Sequence, residues 1–306
     1  MSRSLKAHLL LLGVVFVWGA TFVLVKDALK DISPLLFNLL RMAIAAAVLG
    51  LVYRRHLGHM NRRTIFCGAL VGFFLAMGYQ FQTAGLRLTT PSKSAFITGM
   101  VVVIVPLLLI VPRLRPAGSH APGWNAYLGA LLAFTGIVLL TTPAHSGFDF
   151  QNMNAGDLLT LGCALGFSFH MLALAHFSPR IRFEHLAVLQ VGFASLFIAI
   201  SMPIFEHPYL HMSTRVVVAL AIAALLATAA AFTIQSWAQQ YLPATHTALL
   251  LTLEPVFAWI TSFLVLGERL GIRSGAGAIF IFAGIGITEL LSGRIQSTAH
   301  EAAPVA

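Results

Sequence analysis

The 306-residue chain is 58% hydrophobic and only 9% charged, with a mean hydropathy of +0.87. Because soluble domains carry roughly 25% charged residues, this composition excludes an ordinary soluble domain and indicates a polytopic membrane protein. The formal net charge is +9. Its basic residues are dispersed between apolar runs and form no single face, which favours membrane orientation over nucleic-acid binding. Both cysteines lie in apolar segments, so no disulfide framework is expected.

Ten apolar runs follow one another along the chain, and most have the length of a membrane-spanning helix. They cover about residues 8–25, 34–53, 64–86, 94–111, 124–143, 155–177, 184–204, 216–238, 244–266 and 274–291. A helix satisfies its own backbone hydrogen bonds in lipid, and the short alternating strands of a barrel are absent from the sequence. We therefore predict an all-α membrane protein whose first run is a retained helix. Residues 293–306 are expected to form a disordered cytoplasmic tail.

The distribution of Lys and Arg predicts how the helices are oriented. With the N-terminus inside, the inner segments hold 11 basic residues and the outer loops hold 7, and the loop from Arg54 to Arg63 dominates the bias. Basic loops stay on the cytoplasmic side. Both termini are accordingly predicted to be cytoplasmic, in a multi-pass protein of the cell inner membrane.

The two halves of the chain resemble each other. Residues 13–22 match 162–171, and Arg41 matches Gln190, at an offset of 149; Gln82 matches Gln235 at an offset of 153; Gly129 and Gly136 match Gly277 and Gly284 at an offset of 148. Each copy holds five segments, and since five is odd, the second copy must be inserted in the opposite orientation. The predicted fold is thus two inverted five-helix repeats, residues 1–146 and 147–292.

Five stretches carry a resemblance to a known family. They are VWGATF at 17–22, LLRMAIAA at 39–46, GLRLTTPSKSAFITGMVVVIVPLL at 85–108, GDLLTLGCALGFSFH at 156–170 and THTALLLTLEPVFAWITSFLVLGERL at 245–270. With them the chain resembles the drug/metabolite transporter superfamily, in its ten-helix form with two EamA-type domains. The resemblance implies export of amino acids, related metabolites or drugs. One departure is that the first copy has Pro112, Arg113 and Arg115 where the second copy has Gly-Glu-Arg.

Three ionisable residues inside apolar segments are candidates for function, because such groups are costly in a membrane. Glu254 precedes Pro255, which disturbs its helix, so Glu254 could take up a proton, pair with a substrate amine or satisfy backbone groups at the kink. Arg41 needs an anionic partner or water; a substrate carboxylate or a structural hydrogen bond would serve. His170 is, with Glu254, a candidate for proton coupling, or else a structural hydrogen-bonding group.

Polar and aromatic residues complete the predicted pathway, although each is also compatible with helix packing or an interfacial position. They are Trp18, Asn38, Tyr79, Gln82, Gln190, Gln235 and Trp237. No metal site is expected: His207 and His211 have metal-like spacing, but Pro208 interrupts them and no carboxylate or cysteine set accompanies them. No cofactor is expected either, because the sequence contains no nucleotide-binding or hydrolase motif.

The sequence therefore predicts a secondary active or facilitative transporter, not an enzyme. We expect it to export a small metabolite, such as an amino acid or an amphipathic compound, by alternating access through a central cavity. The predicted partners are the substrate, the lipid bilayer and, as a candidate coupling ion, the proton; a monomer is compatible with the sequence. Two alternatives stay open at this point, a membrane-embedded enzyme that uses Glu254 and His170, and a non-transporting membrane subunit.

Overall fold

Helices account for nearly all of the computed structural model in the part it describes, which is residues 2–58, 60–89, 94, 97–116, 121–141, 154–266 and 272–301. In chain order the helices are α1 (Arg3–Ala28), α2 (Pro34–Val52), α3 (Arg62–Leu88), α4 (Val101–Leu108), α5 (Trp124–Thr141), α6 (Ala155–Phe177), α7 (Phe183–Phe205), α8 (Thr214–Ala238), α9 (Ala244–Leu251), α10 (Glu254–Leu266) and α11 (Ile272–Glu301).

Local side-chain chemistry sets where several of these helices begin. The side chain of Asn61 accepts from the amide of Thr64 at the start of α3, and that of Ser213 accepts from Val216 at the start of α8. Asn154 forms a reciprocal capping box with Asp157 at the start of α6. These caps satisfy amides that have no partner within the first turn of a helix.

The prediction of an all-α membrane protein is confirmed, whereas the number of ten membrane crossings stays a prediction. Six helices, α1, α2, α3, α6, α7 and α8, are long and apolar enough to span a bilayer. Shorter apolar helices lie in the fourth, fifth and tenth predicted segments. The ninth predicted segment is divided into α9 and α10. The last helix continues to Glu301, so the backbone is helical over part of the expected tail.

The division of the ninth segment has a local cause. The amides of Thr252 and Leu253 bond to the carbonyls three residues back, those of Leu249 and Leu250, both at 3.1 Å. The next turn contains Pro255, which has no amide to donate to the carbonyl of Leu251. A new helix therefore begins at Glu254, and the helical segment is interrupted inside the bundle.

The most closely packed helix pairs contain one helix from each copy. Helix α5 packs on α11, α3 on α6, α2 on α7, and α1 on both α8 and α10. Glycines permit the tightest of these contacts: a Cβ on Gly136 would lie 2.5 Å from the carbonyl oxygen of Gly277, and one on Gly284 would lie 2.5 Å from that of Gly129. Small residues allow membrane helices to approach this closely. The repeat-matched glycines thus pack against one another.

Helix α8 departs from α-helical geometry at Leu225–Ala230, which forms a π-helical turn. Such turns insert an extra residue into a helix and occur frequently at functional sites. The hydroxyl of Thr228 donates to the carbonyl of Ala223, five residues back, at 2.7 Å. The turn leaves Ala227 and Thr228 buried, facing α1 and α2.

Candidate functional site: a central cavity between the two copies

A cavity lies at the centre of the bundle, lined by residues of both copies. The empty space between its lining residues, including the part that is open to solvent, is about 1010 Å³. On the first copy its wall includes Trp18 to Val25 of α1 and Tyr79 to Leu86 of α3, in the C-terminal halves of those helices. On the second copy the wall includes residues of α6, α8 and α9 and the start of α10. The cavity therefore extends from mid-depth towards the face at which α1 and α3 end.

Arg41 is the buried cation of this cavity, with 5% of its surface exposed. Its Nε and Nη2 donate to the Thr228 hydroxyl at 3.1 and 2.9 Å, and the guanidinium carbon lies 4.4 Å from the centre of the Tyr79 ring. Nη2 also lies 3.5 Å from the carbonyl oxygen of Ala227, which accepts from the Trp18 indole at 2.8 Å. The π-helical turn thus supplies most of the acceptors that fix this arginine.

Phe232 lies at the centre of the aromatic wall. Its ring is 5.7 Å from Trp18, 6.0 Å from Tyr79 and 5.7 Å from His170. The ring of Tyr79 also meets that of Phe167 edge-on at 5.2 Å. Tilted and edge-to-face arrangements are the favoured geometry of aromatic pairs, so this wall offers an apolar surface with a defined shape.

His170 belongs to a buried polar chain that crosses three helices. Its Nε2 donates to Oε1 of Gln190 at 2.8 Å, and Nε2 of Gln190 donates to the Ser236 hydroxyl at 2.8 Å. Ser236 in turn donates to the carbonyl of Phe232 at 2.6 Å. Gln190 is fully buried and is not among the lining residues of the cavity, whereas its partner His170 is.

Glu254 lines the cavity at the interruption between α9 and α10. Helix α1 crosses directly beside it, because a Cβ on Gly19 would lie 2.6 Å from the Glu254 carbonyl oxygen. Within the described residues, no hydrogen-bond donor or cationic side chain lies in contact with the Glu254 carboxylate. A carboxylate in this position is available to a proton or to a cationic group of a bound solute.

The structure places seven of the ten predicted residues in the wall of this one cavity. They are Trp18, Arg41, Tyr79, Gln82, His170, Gln235 and Glu254. Asn38 lies behind the wall and donates to the Tyr79 carbonyl and the Thr83 hydroxyl, both at 3.0 Å. Trp237 lies away from the cavity, with its ring packed on Tyr241 at 5.1 Å. Contact of any of these residues with a substrate stays a prediction.

Two lining residues, Phe167 and Phe232, were not singled out from the sequence, because they resemble ordinary packing residues of a membrane helix. Thr228, in an otherwise apolar alanine-rich run, was not singled out either; it is fully buried and bonds to Arg41 without lining the cavity itself. One signal was present: the offset between the copies changes from 149 at Arg41 to 153 at Gln82, which indicates insertions in the second copy. As for metals, no three His, Cys, Asp or Glu side chains converge within the described ranges.

The fold and the cavity define an integral membrane protein with an internal cavity between its two copies. The EamA-like transporter family matches the chain twice, over residues 5–142 and 154–290, so the chain belongs to this family. This assignment confirms the resemblance to the drug/metabolite transporters. It also indicates a transporter and not an enzyme.

Related proteins agree with the assignment. An uncharacterized transporter of Archaeoglobus fulgidus is 32% identical over 297 residues, which cover 94% of this chain and 87% of the relative. The uncharacterized transporter YoaV of Bacillus subtilis is 24% identical over 291 residues, covering 92% and 95%. A protein of known crystal structure superposes with a TM-score of 0.77 at 18% identity, covering 96% of this chain and 99% of its own. That structure supports the fold alone.

Proposed function

We propose that this protein exports a small metabolite, such as an amino acid or an amphipathic compound, across the inner membrane by alternating access. The observation that carries the proposal is the cavity between the copies, whose aromatic wall holds the cationic Arg41 and the carboxylate of Glu254. Multiply charged phosphates usually require several cationic groups. Among the described lining residues Arg41 is the one Lys or Arg side chain, which favours a zwitterion or a singly charged amphipath.

The orientation proposed from the basic loops gives the cavity a direction. With the N-terminus in the cytoplasm, α1 runs outwards, and the cavity extends towards the external face. Alternating access then requires a second state in which the same site opens to the cytoplasm. The transport is secondary active or facilitative, with Glu254 and His170 as the candidates for proton coupling.

Flux into proteoliposomes tests the proposal. The purified protein is reconstituted and offered a pool of radiolabelled amino acids, with and without an imposed pH gradient. We expect saturable flux of at least one amino acid, and loss of that flux in Glu254→Gln. The matched control is Glu184→Gln, which removes a partly buried carboxylate that pairs with Arg182 at 3.2 Å, away from the cavity.

Two other results would revise the proposal in different ways. Flux of nucleosides, cationic drugs or vitamins without flux of amino acids would retain the carrier and replace its substrate class. No flux in any pool would reject transport by the purified chain. If flux in the wild type depends on the pH gradient, a variant at Glu254 or His170 that keeps flux but no longer responds to the gradient would identify the coupling residue.

A membrane-embedded enzyme is the second candidate, because Glu254 and His170 line the same cavity, as acid–base catalysis requires. Family membership favours the carrier. Mass spectrometry of the solute recovered from the vesicles separates the two functions. A carrier returns the solute with its mass unchanged, whereas an enzyme produces a new mass that disappears in both Glu254→Gln and His170→Gln.

A further inference from the structure

We propose that the π-helical turn of α8 builds a carboxylate-binding subsite, in which Thr228 holds Arg41 so that the free edge of its guanidinium faces the cavity. This inference rests on the proposed transport function and narrows its substrate class to solutes that carry a carboxylate. Thr228 is then a positioning residue, because it acts on the substrate through Arg41.

The first argument is that Arg41 lacks a counter-ion. The side chain is buried with 5% exposure and lies in the cavity wall. Its described partners are the hydroxyls of Thr228 and Tyr79 and the carbonyl of Ala227, and all of these are neutral groups. No carboxylate among the described residues lies within ion-pair distance of it. A buried guanidinium remains charged and requires an anion or water.

The second argument is the direction in which the guanidinium is held. Thr228 accepts from both Nε and Nη2, and the plane of the group is supported by the Tyr79 ring at 4.4 Å. No described residue accepts a hydrogen bond from Nη1. The protein therefore occupies the Nε and Nη2 edge of the guanidinium and leaves the terminal nitrogen Nη1 for a ligand. An ionised carboxylate oxygen is the acceptor that forms the stronger, charge-assisted hydrogen bond with such a nitrogen.

The third argument is an unsatisfied acceptor in the same cavity. Oε1 of Gln235 is buried and has no hydrogen-bond partner, although the residue is only 2% exposed and lines the wall. Unsatisfied buried acceptors are costly unless a ligand or water completes them. A solute with a carboxylate for Arg41 and an N–H group for Gln235 would satisfy both, and an α-amino acid has these two groups.

Matched pairs of solutes test the subsite. The probes are leucine with 3-methylbutylamine, phenylalanine with 2-phenylethylamine, and tryptophan with tryptamine, in which each amine lacks only the carboxylate. We measure both the flux into proteoliposomes and the shift in unfolding temperature of the purified protein. The wild type should prefer at least one acid over its amine by about tenfold or more, since a hydrogen-bonded charge contributes at least that factor.

Substitutions assign the preference to the two residues. Arg41→Gln and Thr228→Val should bring the ratio of acid to amine close to one, and Thr228→Ser, which keeps the hydroxyl, should restore it. Arg41→Lys keeps the charge without the fork and should reduce the ratio. If Arg41→Gln does not fold, the Thr228 pair still decides the matter, because a structural role alone would change the yield of protein and not the ratio.

The outcomes separate the two proposals. Amines that are carried or bound as well as the acids by the wild type overturn the subsite and leave transport standing. A ratio that is unchanged in Thr228→Val overturns the positioning role. Acid-selective stabilisation without any flux rejects transport but retains the subsite, whereas neither stabilisation nor flux rejects both.

Discussion

Helices α3 and α8 hold equivalent places in the two copies, yet they differ in the middle. Their N-caps, Asn61 and Ser213, are 152 residues apart, whereas Gln82 and Gln235 are 153 apart. One residue has therefore been added to α8 between these points, where the π-helical turn Leu225–Ala230 lies. An insertion of one residue is what such a turn accommodates.

The two helices also pack in different ways. Helix α3 meets α6 through glycines, and a Cβ on Gly85 would lie 2.7 Å from the carbonyl oxygen of Gly156. At the equivalent positions α8 has alanines, for example Ala238, which is buried at 0% exposure. Near the centre, α8 instead offers the Thr228 hydroxyl to Arg41 and the Ala227 carbonyl to Trp18. The comparison indicates that α3 holds the copies together by backbone contact, while α8 supplies acceptors that hold Arg41.

Single-residue deletions test this comparison most severely. Deleting Leu75 from the regular helix α3 should rotate everything after it by roughly 100°, which turns Gly78 and Gly85 away from α6. We expect no monodisperse peak in size-exclusion chromatography. Deleting Ala230 from α8 should convert the π-helical turn to an α-helix, preserve the fold and remove the preference for carboxylates. Equal loss of folding in both deletions would contradict the comparison.

Adding a methyl group to a glycine contact should have the next largest effect. Gly85→Ala would place a Cβ 2.5 Å from the Thr160 hydroxyl and 2.7 Å from a backbone carbonyl. We expect a loss of about 1–3 kcal/mol of stability, as for other overpacked sites, seen as a lower unfolding temperature in detergent. Gly13→Ala is the control, because a Cβ there meets no atom within 4 Å. Equal stability of the two variants would show that α3 and α6 separate without cost.

A matched pair of hydrogen bonds should show a smaller effect, of similar size in the two copies. Thr83 accepts from Asn38 at 3.0 Å, and Ser236, its counterpart 153 residues later, accepts from Gln190 at 2.8 Å. Interhelical hydrogen bonds in membranes contribute about 0.6 kcal/mol on average. Thr83→Val and Ser236→Ala should each lower the unfolding temperature slightly. A large decrease of the unfolding temperature in Ser236→Ala alone would show that the polar chain through His170 has a structural role.

The smallest effect is expected for a group of ion pairs that joins the start of α8 to the end of α1 and the residues after it. Arg215 in α8 pairs with Asp31 at 3.0 Å and with Asp27 at 3.6 Å, and all three side chains are partly exposed to solvent. Exposed ion pairs contribute roughly 0–1 kcal/mol and weaken with salt. Arg215→Gln should change the unfolding temperature little, and the change should shrink further at high salt. A large effect that persists at high salt would show that these ion pairs stabilise the contact between the two copies.

Much of the fold was predictable because the membrane imposes it. Apolar runs bounded by charges predict helices, and an odd number of segments per copy predicts inversion. Pro255 predicted the interruption at Glu254, because a proline has no backbone N–H group to donate within a helix. The packing of Gly129 on Gly284 was not predictable from their match alone, because a repeat shows equivalence and not contact.

The candidate site was predictable where its residues are unusual in a membrane. Arg41, His170 and Glu254 stand out from the apolar runs because it is energetically costly to place an ionisable group in a membrane. All three line the cavity. Thr228 does not stand out, because threonine is common in membrane helices and bonds readily to its own backbone. Its hydrogen bonds to Arg41 depend on the local change in helical pitch, which orients its hydroxyl towards α2. That geometry depends on the partner helices, and no single-residue property reports it.

The glycine contacts between α5 and α11 have a mechanical consequence. One helix comes from each copy, and the closest approaches are between backbones, such as Gly136 against the Gly277 carbonyl. If one helix slid along the other, the clash between their backbones could not be removed by a change of side-chain rotamer. The two helices can, however, tilt about the point of closest approach. In the proposed alternating-access cycle, we expect this helix pair to be the pivot. Spin labels placed across it should keep their separation while labels across the cavity mouth change theirs.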